Sequence, residues 1–329
     1  MDKNLFDGSL QTRGAFYRRA RYDLVQDQIS EAARRYLDPA TGDLLASAVV
    51  ERACVVCGSS ARRQVFEKNQ FPHVICADCG FLYVNPILKE DLLVEYYRGA
   101  QDSWTEVVEN EHYHRYQRKY YEFHVDHIER LARTPVRSIL DIGCNSGQFL
   151  AVARERGWNV TGHELNRRAG ARARARELKV LDEEFSVALF GGRRFGAVTL
   201  WGVLEHLPYP GILLEGVRAL LEPGGVLALL VPNAEGLATR VLRERSNTFD
   251  GIEHVNFWSG STLARFLENH GFRVEHQETA ISELYTLNNY LHYEHPYAAP
   301  EEHPLLLDVL TPEYLHQRGM GHHLCAYAV

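Results

Sequence analysis

Two cysteine pairs, Cys54-Val-Val-Cys57 and Cys76-Ala-Asp-Cys79, stand 18 residues apart, and each offers two thiolates from one tight turn. Four sulfurs at this spacing complete a tetrahedron around zinc and leave no open coordination position, so the metal expected there is structural. Gly58 and Gly80 follow the second cysteine of each pair and give the chain room to wrap. A different chemistry is written in Ser138 to Leu150, SILDIGCNSGQFL, where a short apolar run ends in Asp141, turns through Gly143, Asn145 and Gly147, and opens at Gln148 into a helical pattern. Such a turn lets the backbone approach a ligand and aims the amides of the next helix at it. Glu164 closes a second apolar run, WNVTGHE, 21 residues beyond Gly143, where an acid accepts both ribose hydroxyls of a nucleotide. His206, in Leu-Glu-His-Leu, and His254, beside Glu253, are the candidate bases, because imidazole titrates near neutrality and takes protons from hydroxyls and acidified carbons.

The dinucleotide fingerprint G-x-G-x-x-G would place glycine at Gly143, Asn145 and Gln148, and only the first complies, which counts against NAD. The loop resembles motif I of the class I S-adenosylmethionine-dependent methyltransferases, D-x-G-C-G-x-G. It departs at Asn145, the non-glycine residue type best suited to a left-handed backbone. Phe195 to Pro210, FGAVTLWGVLEHLPYP, is similar to the later W-D-V-L-E-H-L-x-D-P segment of the same family, with Gly202 and Tyr209 where Asp is frequent. Glu222-Pro-Gly-Gly225 and the run Val226 to Asn233 resemble the family's turn and fifth strand. The cysteine stretch resembles the zinc ribbon that precedes the methyltransferase domain in some bacterial small-molecule and deoxysugar methyltransferases, and Glu253-His254 with Phe257-Trp258-Ser259 is similar to their E-H-x-x-x-F-S segment.

The resemblance implies an α/β fold, a Rossmann-like seven-stranded methyltransferase sheet with an N-terminal helical and zinc-binding module. It implies S-adenosylmethionine as methyl donor and zinc as structural metal. Asp141, Gly143, Asn145, Gly147 and Trp201 would surround the donor, with Glu164 on its ribose. His254 would be the base with Glu253 as its neighbour, and His206 the alternative. The acceptor would be a sugar or secondary metabolite methylated on carbon or oxygen. A zinc-ribbon RNA methyltransferase and an NAD-dependent oxidoreductase are the alternatives.

These residues need a scaffold, and 329 residues suffice to bury one without disulfides. A net charge of −7 and a pI near 6.1 argue against a phosphate backbone as partner. No apolar run reaches the roughly 20 residues of a membrane span, and MDKNLFDG lacks a signal peptide's apolar core, so a cytoplasmic protein with reduced cysteines is expected. The chain divides into a helical extension (1–48), the zinc module (49–88), a helical connector (89–133) and the methyltransferase domain (134–329). In the extension, Tyr17, Val25, Ile29, Ala32 and Tyr36 recur at helical spacing, read as a packing helix ahead of a cap or a homo-oligomerisation element. The connector is rich in aromatic residues, read as core packing ahead of a ligand wall. Its His112, His114, His124 and His127 are read as solvated or hydrogen-bonded, for want of a carboxylate or thiolate aimed at the same point. Arg167 to Glu177 reads as an ordinary outer helix, Ser261 as a helix start, Ile281 to Pro312 as an insertion serving as lid or surface loop, and Gly321 to Val329 as a last strand.

Overall fold

The computed structural model describes residues 22–99, 109, 111–297 and 309–329. The helix Tyr22–Arg34 forms because Val25, Ile29, Ala32 and Ala33 recur at helical spacing and bury on one face; Tyr17 lies outside the described residues. The cysteine segment folds as β1 (Val49–Val50), β2 (Arg62–Lys68), β3 (Phe71–Cys76), β4 (Leu82–Val84) and β5 (Ile87–Leu88). Strands β2, β3 and β4 form an antiparallel meander, and β1 pairs with β5 to draw the two ends of the segment together. The helices Glu90–Gly99 and Glu111–Leu131 follow.

The large sheet uses β6 (Ser138–Ile142), β7 (Asn159–His163), β8 (Val180–Leu181), β9 (Phe195–Trp201) and β10 (Leu221–Pro232). The next strand in the chain, β11 (Asn256–Phe257), leaves this sheet and pairs with β4 as the fourth strand of the cysteine sheet. Strands β12 (Val274–Ala280) and β13 (His323–Ala328) complete seven strands in the order β12-β13-β10-β9-β6-β7-β8, with β13 antiparallel to both neighbours. Central strands carry unbroken apolar runs, Val226 to Leu229 above all, because helices cover both faces and leave no polar side for alternation to mark. The last strand confirms the point: Cys325 and Tyr327 are as buried as Leu324 and Ala326.

Two local expectations change. The helix Gly260–Asn269 is capped by Ser259, not Ser261: the Thr262 amide donates to Ser259 Oγ at 3.2 Å, while the Ser259 amide donates to Thr262 Oγ1 at 2.9 Å. The insertion is not a surface loop where it is described. Leu284–Tyr293 is a helix whose Leu287 buries against Ala238 and Leu242, and His303 lies outside the described residues. Arg167–Ala175 is the outer helix expected, capped by the Asn166 side chain and buried only through its small residues Ala169, Gly170 and Ala173. Among the described residues no helix is long and apolar enough to cross a membrane.

Candidate active site

From β6 the chain winds outward through β7 and β8, then returns to the other side of β6 with β9 and β10. Open α/β sheets bind ligands where the order reverses, at the carboxyl ends of the strands. A cleft of about 1020 Å³ lies there, and it joins the glycine loop to the loops that follow β9 and β10.

At the loop end, Asp141 is buried and accepts a 2.7 Å hydrogen bond from Thr199 Oγ1 of the neighbouring strand. Burial pushes its carboxyl up to about 8, against the pull of that hydrogen bond. A folded-state value above the unfolded one means that the folded protein holds this proton more tightly. The resulting stabilisation is complete below about pH 4 and is lost as pH rises through 8. Asp141→Asn is therefore expected to flatten the fall in melting temperature between pH 4 and 8 measured for the ligand-free protein; an identical slope in both proteins would contradict the assignment.

Gly143 and Asn145 both have left-handed backbones, φ 75° and 47°, so asparagine does take the place of the missing glycine. A Cβ on Gly143 would stand 2.9 Å from Val203 Cγ2, at the floor of the cleft. The Asn145 amide donates to Glu164 Oε2 and the Asn166 amide to Glu164 Oε1, each at 2.8 Å. Glu164 thus braces the glycine loop against the end of β7 while lining the cleft. Burial raises its pKa, and the amide donors oppose the rise. Gly147 does not reach the cleft: it precedes the helix Gln148–Glu155 with φ 78°, and a Cβ there would lie 2.4 Å from Leu178 Cδ1, so its smallness serves loop packing. Trp201 lines the cleft with its ring 5.0 Å from Phe149 and 4.3 Å from His124. Its buried Nε1 has no hydrogen-bond partner among the described residues.

Where the loops that follow β9 and β10 line the cleft, the structure brings His206 and His254 together, ring centroids 4.8 Å apart, beside Glu205 and Glu253. Asp250 shapes this loop, its Oδ1 accepting the amides of Ile252, Glu253 and His254 at 2.8, 2.7 and 3.2 Å. His254 Nδ1 lies 2.7 Å from the Thr248 carbonyl oxygen, which only accepts, so Nδ1 carries the proton and Nε2 is left as the basic nitrogen. Burial alone would depress this imidazole's pKa, but the carboxylates of Asp250 and Glu205 bring it above the usual value. Burial raises Glu205 and Glu253 to about 7 each, and in Glu253 the charge of Asp250 adds to it. His206 behaves oppositely, held well below its usual range by burial and by His254. The Tyr97 hydroxyl lies 3.0 Å from His206 Nδ1 and 3.2 Å from the Glu253 carbonyl, and one tautomer satisfies both, with His206 donating to Tyr97 and Tyr97 to the carbonyl. Tyr96 donates to Glu253 Oε1 at 2.6 Å.

The cysteine module holds this end in place. Buried Arg52 donates to the carbonyls of Pro208 and Val255 at 2.5 and 2.7 Å, and Asn256 Nδ2 donates to those of Leu204 and Leu207 at 3.2 and 2.7 Å. Behind them the four sulfurs converge. Cys54 and Cys79 are 3.5 Å apart, as are Cys57 and Cys76, and all four lie within 4.8 Å of one another. A tetrahedron with Zn–S of 2.3 Å has sulfurs about 3.8 Å apart, so the donor set fits zinc. The amides of Gly58 and Gly80 fold back onto the carbonyls of Cys54 and Cys76 at 2.8 and 3.0 Å, each glycine with positive φ.

Sequence reasoning ranked core packing ahead of a ligand wall for the connector, and a packing helix ahead of a cap for the N-terminal extension. Tyr97, Gln117, Tyr121 and His124 line the cleft, joined by Val25 and Ile29, so the aromatic stripe is wall as well as core. His124 is hydrogen-bonded, as expected, its Nδ1 2.6 Å from the Tyr327 hydroxyl. The aromatic spacing was the available signal, but spacing does not say which face meets a ligand.

A family model described as a methyltransferase domain matches residues 98–277, more than half of the chain. The chain belongs to this family. Among curated methyltransferases it is 26% identical over 214 residues to the C-methyltransferase NovU of Streptomyces niveus, covering 63% of this chain and 47% of that protein. It is 30% identical over 118 residues to a ubiquinone biosynthesis O-methyltransferase of Pseudomonas aeruginosa (strain UCBPP-PA14), covering 33% of this chain and 50% of that protein. The chain thus spans about half the length of these curated relatives. Among solved structures, the magnesium protoporphyrin IX methyltransferase of Synechocystis PCC 6803 superposes with a TM-score of 0.50 at 13% identity, over 73% of this chain and 99% of that one. The resemblance drawn from the glycine loop and the seven-stranded methyltransferase sheet expected from it are both borne out, and membership of the family counts against the NAD-dependent oxidoreductase.

Proposed function

We propose that this methyltransferase moves the methyl group of S-adenosylmethionine to a carbon or oxygen of a small-molecule acceptor, with His254 as the base. One observation carries the reading: a single cleft joins a glycine loop braced by Glu164 to an imidazole whose Nε2 is left available. Bound at the loop end, S-adenosylmethionine supplies an electrophilic methyl on a sulfonium. Gly143 and Asn145 give the donor room against the backbone, Glu164 accepts its ribose hydroxyls, Asp141 anchors the loop to the sheet, and Trp201 offers a flat face and a buried N–H. His254 Nε2 takes the acceptor's proton, and the Asp250, Glu205 and Glu253 carboxyls stabilise the imidazolium that results. Similarity to a C-methyltransferase over 63% of the chain favours transfer to carbon, and the resemblance of the cysteine stretch and of Glu253-His254 to deoxysugar methyltransferases favours a sugar-like metabolite. The acidic charge supports a small acceptor over RNA. The four cysteines hold a structural zinc, and six cysteines outside any disulfide suit a reducing compartment such as the cytoplasm.

Calorimetry with S-adenosylhomocysteine, followed by methylation assays on a panel of sugar and phenolic metabolites, tests the reading; absence of S-adenosylhomocysteine binding removes it. Glu164→Ala is expected to weaken that binding about tenfold or more, since a charge-assisted hydrogen bond contributes about 1.5–3 kcal/mol. An unchanged dissociation constant would show that the ribose is held elsewhere.

A further inference from the structure

Among the described residues, a cluster of side chains outside both the cleft and the cysteine module is arranged for chemistry that the methyl transfer does not use. His127 sits on the helix Glu111–Leu131, and His276 and Glu278 sit two residues apart on β12, hence on the same face of the sheet edge. His127 Nε2 is 3.0 Å and His276 Nε2 3.2 Å from the same oxygen, Glu278 Oε1. The carboxylate and His127 are almost fully buried, whereas the His276 side chain is 37% exposed and opens the cluster to solvent.

The proton positions decide what this means. His127 Nδ1 lies 3.0 Å from the Phe123 carbonyl, which can only accept, so the ring's first proton is on Nδ1. In the neutral ring Nε2 then points a lone pair at a carboxylate oxygen. Two nitrogens and one oxygen converge in this way, with the ligand atoms within 4.8 Å of one another. Tetrahedral zinc with bonds of 2.0–2.2 Å spaces its ligands about 3.4 Å apart, and two histidines with one carboxylate leave its fourth position open. A histidine that holds a backbone carbonyl with the opposite nitrogen is also the usual orientation of a metal ligand. Stacking fixes the rings further, with His127 5.4 Å from His276 and 4.8 Å from Tyr327.

We infer that His127, His276 and Glu278 form a second metal site, for zinc or a divalent cation of similar ligand preference, at the edge of the large sheet. Occupied, it staples β12 to the helix that supplies Gln117, Tyr121 and His124 to the cleft wall.

The 329-residue chain is titrated with zinc and then with cobalt, and His276→Ala serves as the variant because its side chain is part-exposed and leaves the fold least disturbed. Cobalt bound by the four cysteines shows an intense thiolate charge-transfer band; cobalt bound by two histidines and a carboxylate shows only weak visible bands, so the two sites are counted separately. The expected result is one equivalent of metal beyond the thiolate-bound one. In His276→Ala the affinity of that equivalent falls about tenfold or more, the thiolate band stays, and the zinc-dependent rise in melting temperature attributable to the second equivalent disappears. No second equivalent in the wild-type protein, or an unchanged one in His276→Ala, overturns the inference. In the first case nitrogen NMR showing His127 protonated on both nitrogens would identify the cluster as an ion pair instead.

Discussion

His254→Ala is expected to lower methyl transfer by about 10²–10⁴-fold and to leave the dissociation constant of S-adenosylhomocysteine nearly unchanged. The split follows from the bonds made: His254 is held by Thr248 and Asp250 in the loop after β10, while Glu164 and the sheet hold the glycine loop, so the loss of His254 removes a proton acceptor and none of the groups that shape the donor loop. The Thr248 carbonyl fixes the tautomer, and Asp250 and Glu205 raise the imidazole's pKa against the effect of burial. A base must be unprotonated to act, so activity rises with pH through the His254 pKa, on a limb above the ordinary imidazole value. Glu205→Gln removes one of the raising charges and is expected to move that limb to lower pH. His206 is the natural control, since burial and His254 keep it neutral and Tyr97 occupies its Nδ1. Turnover abolished by His206→Ala but retained by His254→Ala would exchange the two roles.

The second large effect is on stability. Cys76→Ser is expected to cost one equivalent of zinc relative to wild type and about 3–5 kcal/mol, roughly 5–15 °C in melting temperature, because metal binding of this kind is coupled to folding. The loss does not stay within the cysteine module. Cys54, Cys76, Phe81 and Tyr83 belong to the same buried cluster as Trp258 and Phe266 of the methyltransferase core, with Phe81 and Trp258 rings 4.8 Å apart. Arg52 and β11 tie the module to the loops of Glu205–Pro208 and Glu253–Phe257. Turnover in Cys76→Ser is therefore expected to fall further than S-adenosylhomocysteine affinity, since the disturbed loops carry His206 and His254 while the glycine loop hangs from β6. Elemental analysis, melting and binding measured on one preparation check all three; a variant with full metal content and wild-type melting would refute the structural role.

Features set by neighbours in the chain were legible in the sequence. The strand-turn-helix of Ser138 to Leu150, the left-handed Asn145, the paired cysteine turns and the continuous apolar run of β10 all follow from residue types within a few positions of one another, where backbone preference and hydrophobic period act directly. Even there, the cap of the helix Gly260–Asn269 fell on Ser259 rather than Ser261, since both serines suit a cap and the reciprocal bond with Thr262 chose between them. What only the tertiary structure decided were meetings across long separations. His206 reaches His254, Tyr97 reaches His206 and the Glu253 carbonyl, β11 leaves the large sheet to complete that of the cysteines, and Glu278 finds His127 across 151 residues of chain. Gly147, identical in kind to Gly143 on paper, turned away from the cleft because Leu178 packs where its side chain would be. Local sequence specifies φ, ψ and which face is apolar; which faces touch is settled by the packing of the whole core, where any one contact contributes little and the sum selects the arrangement.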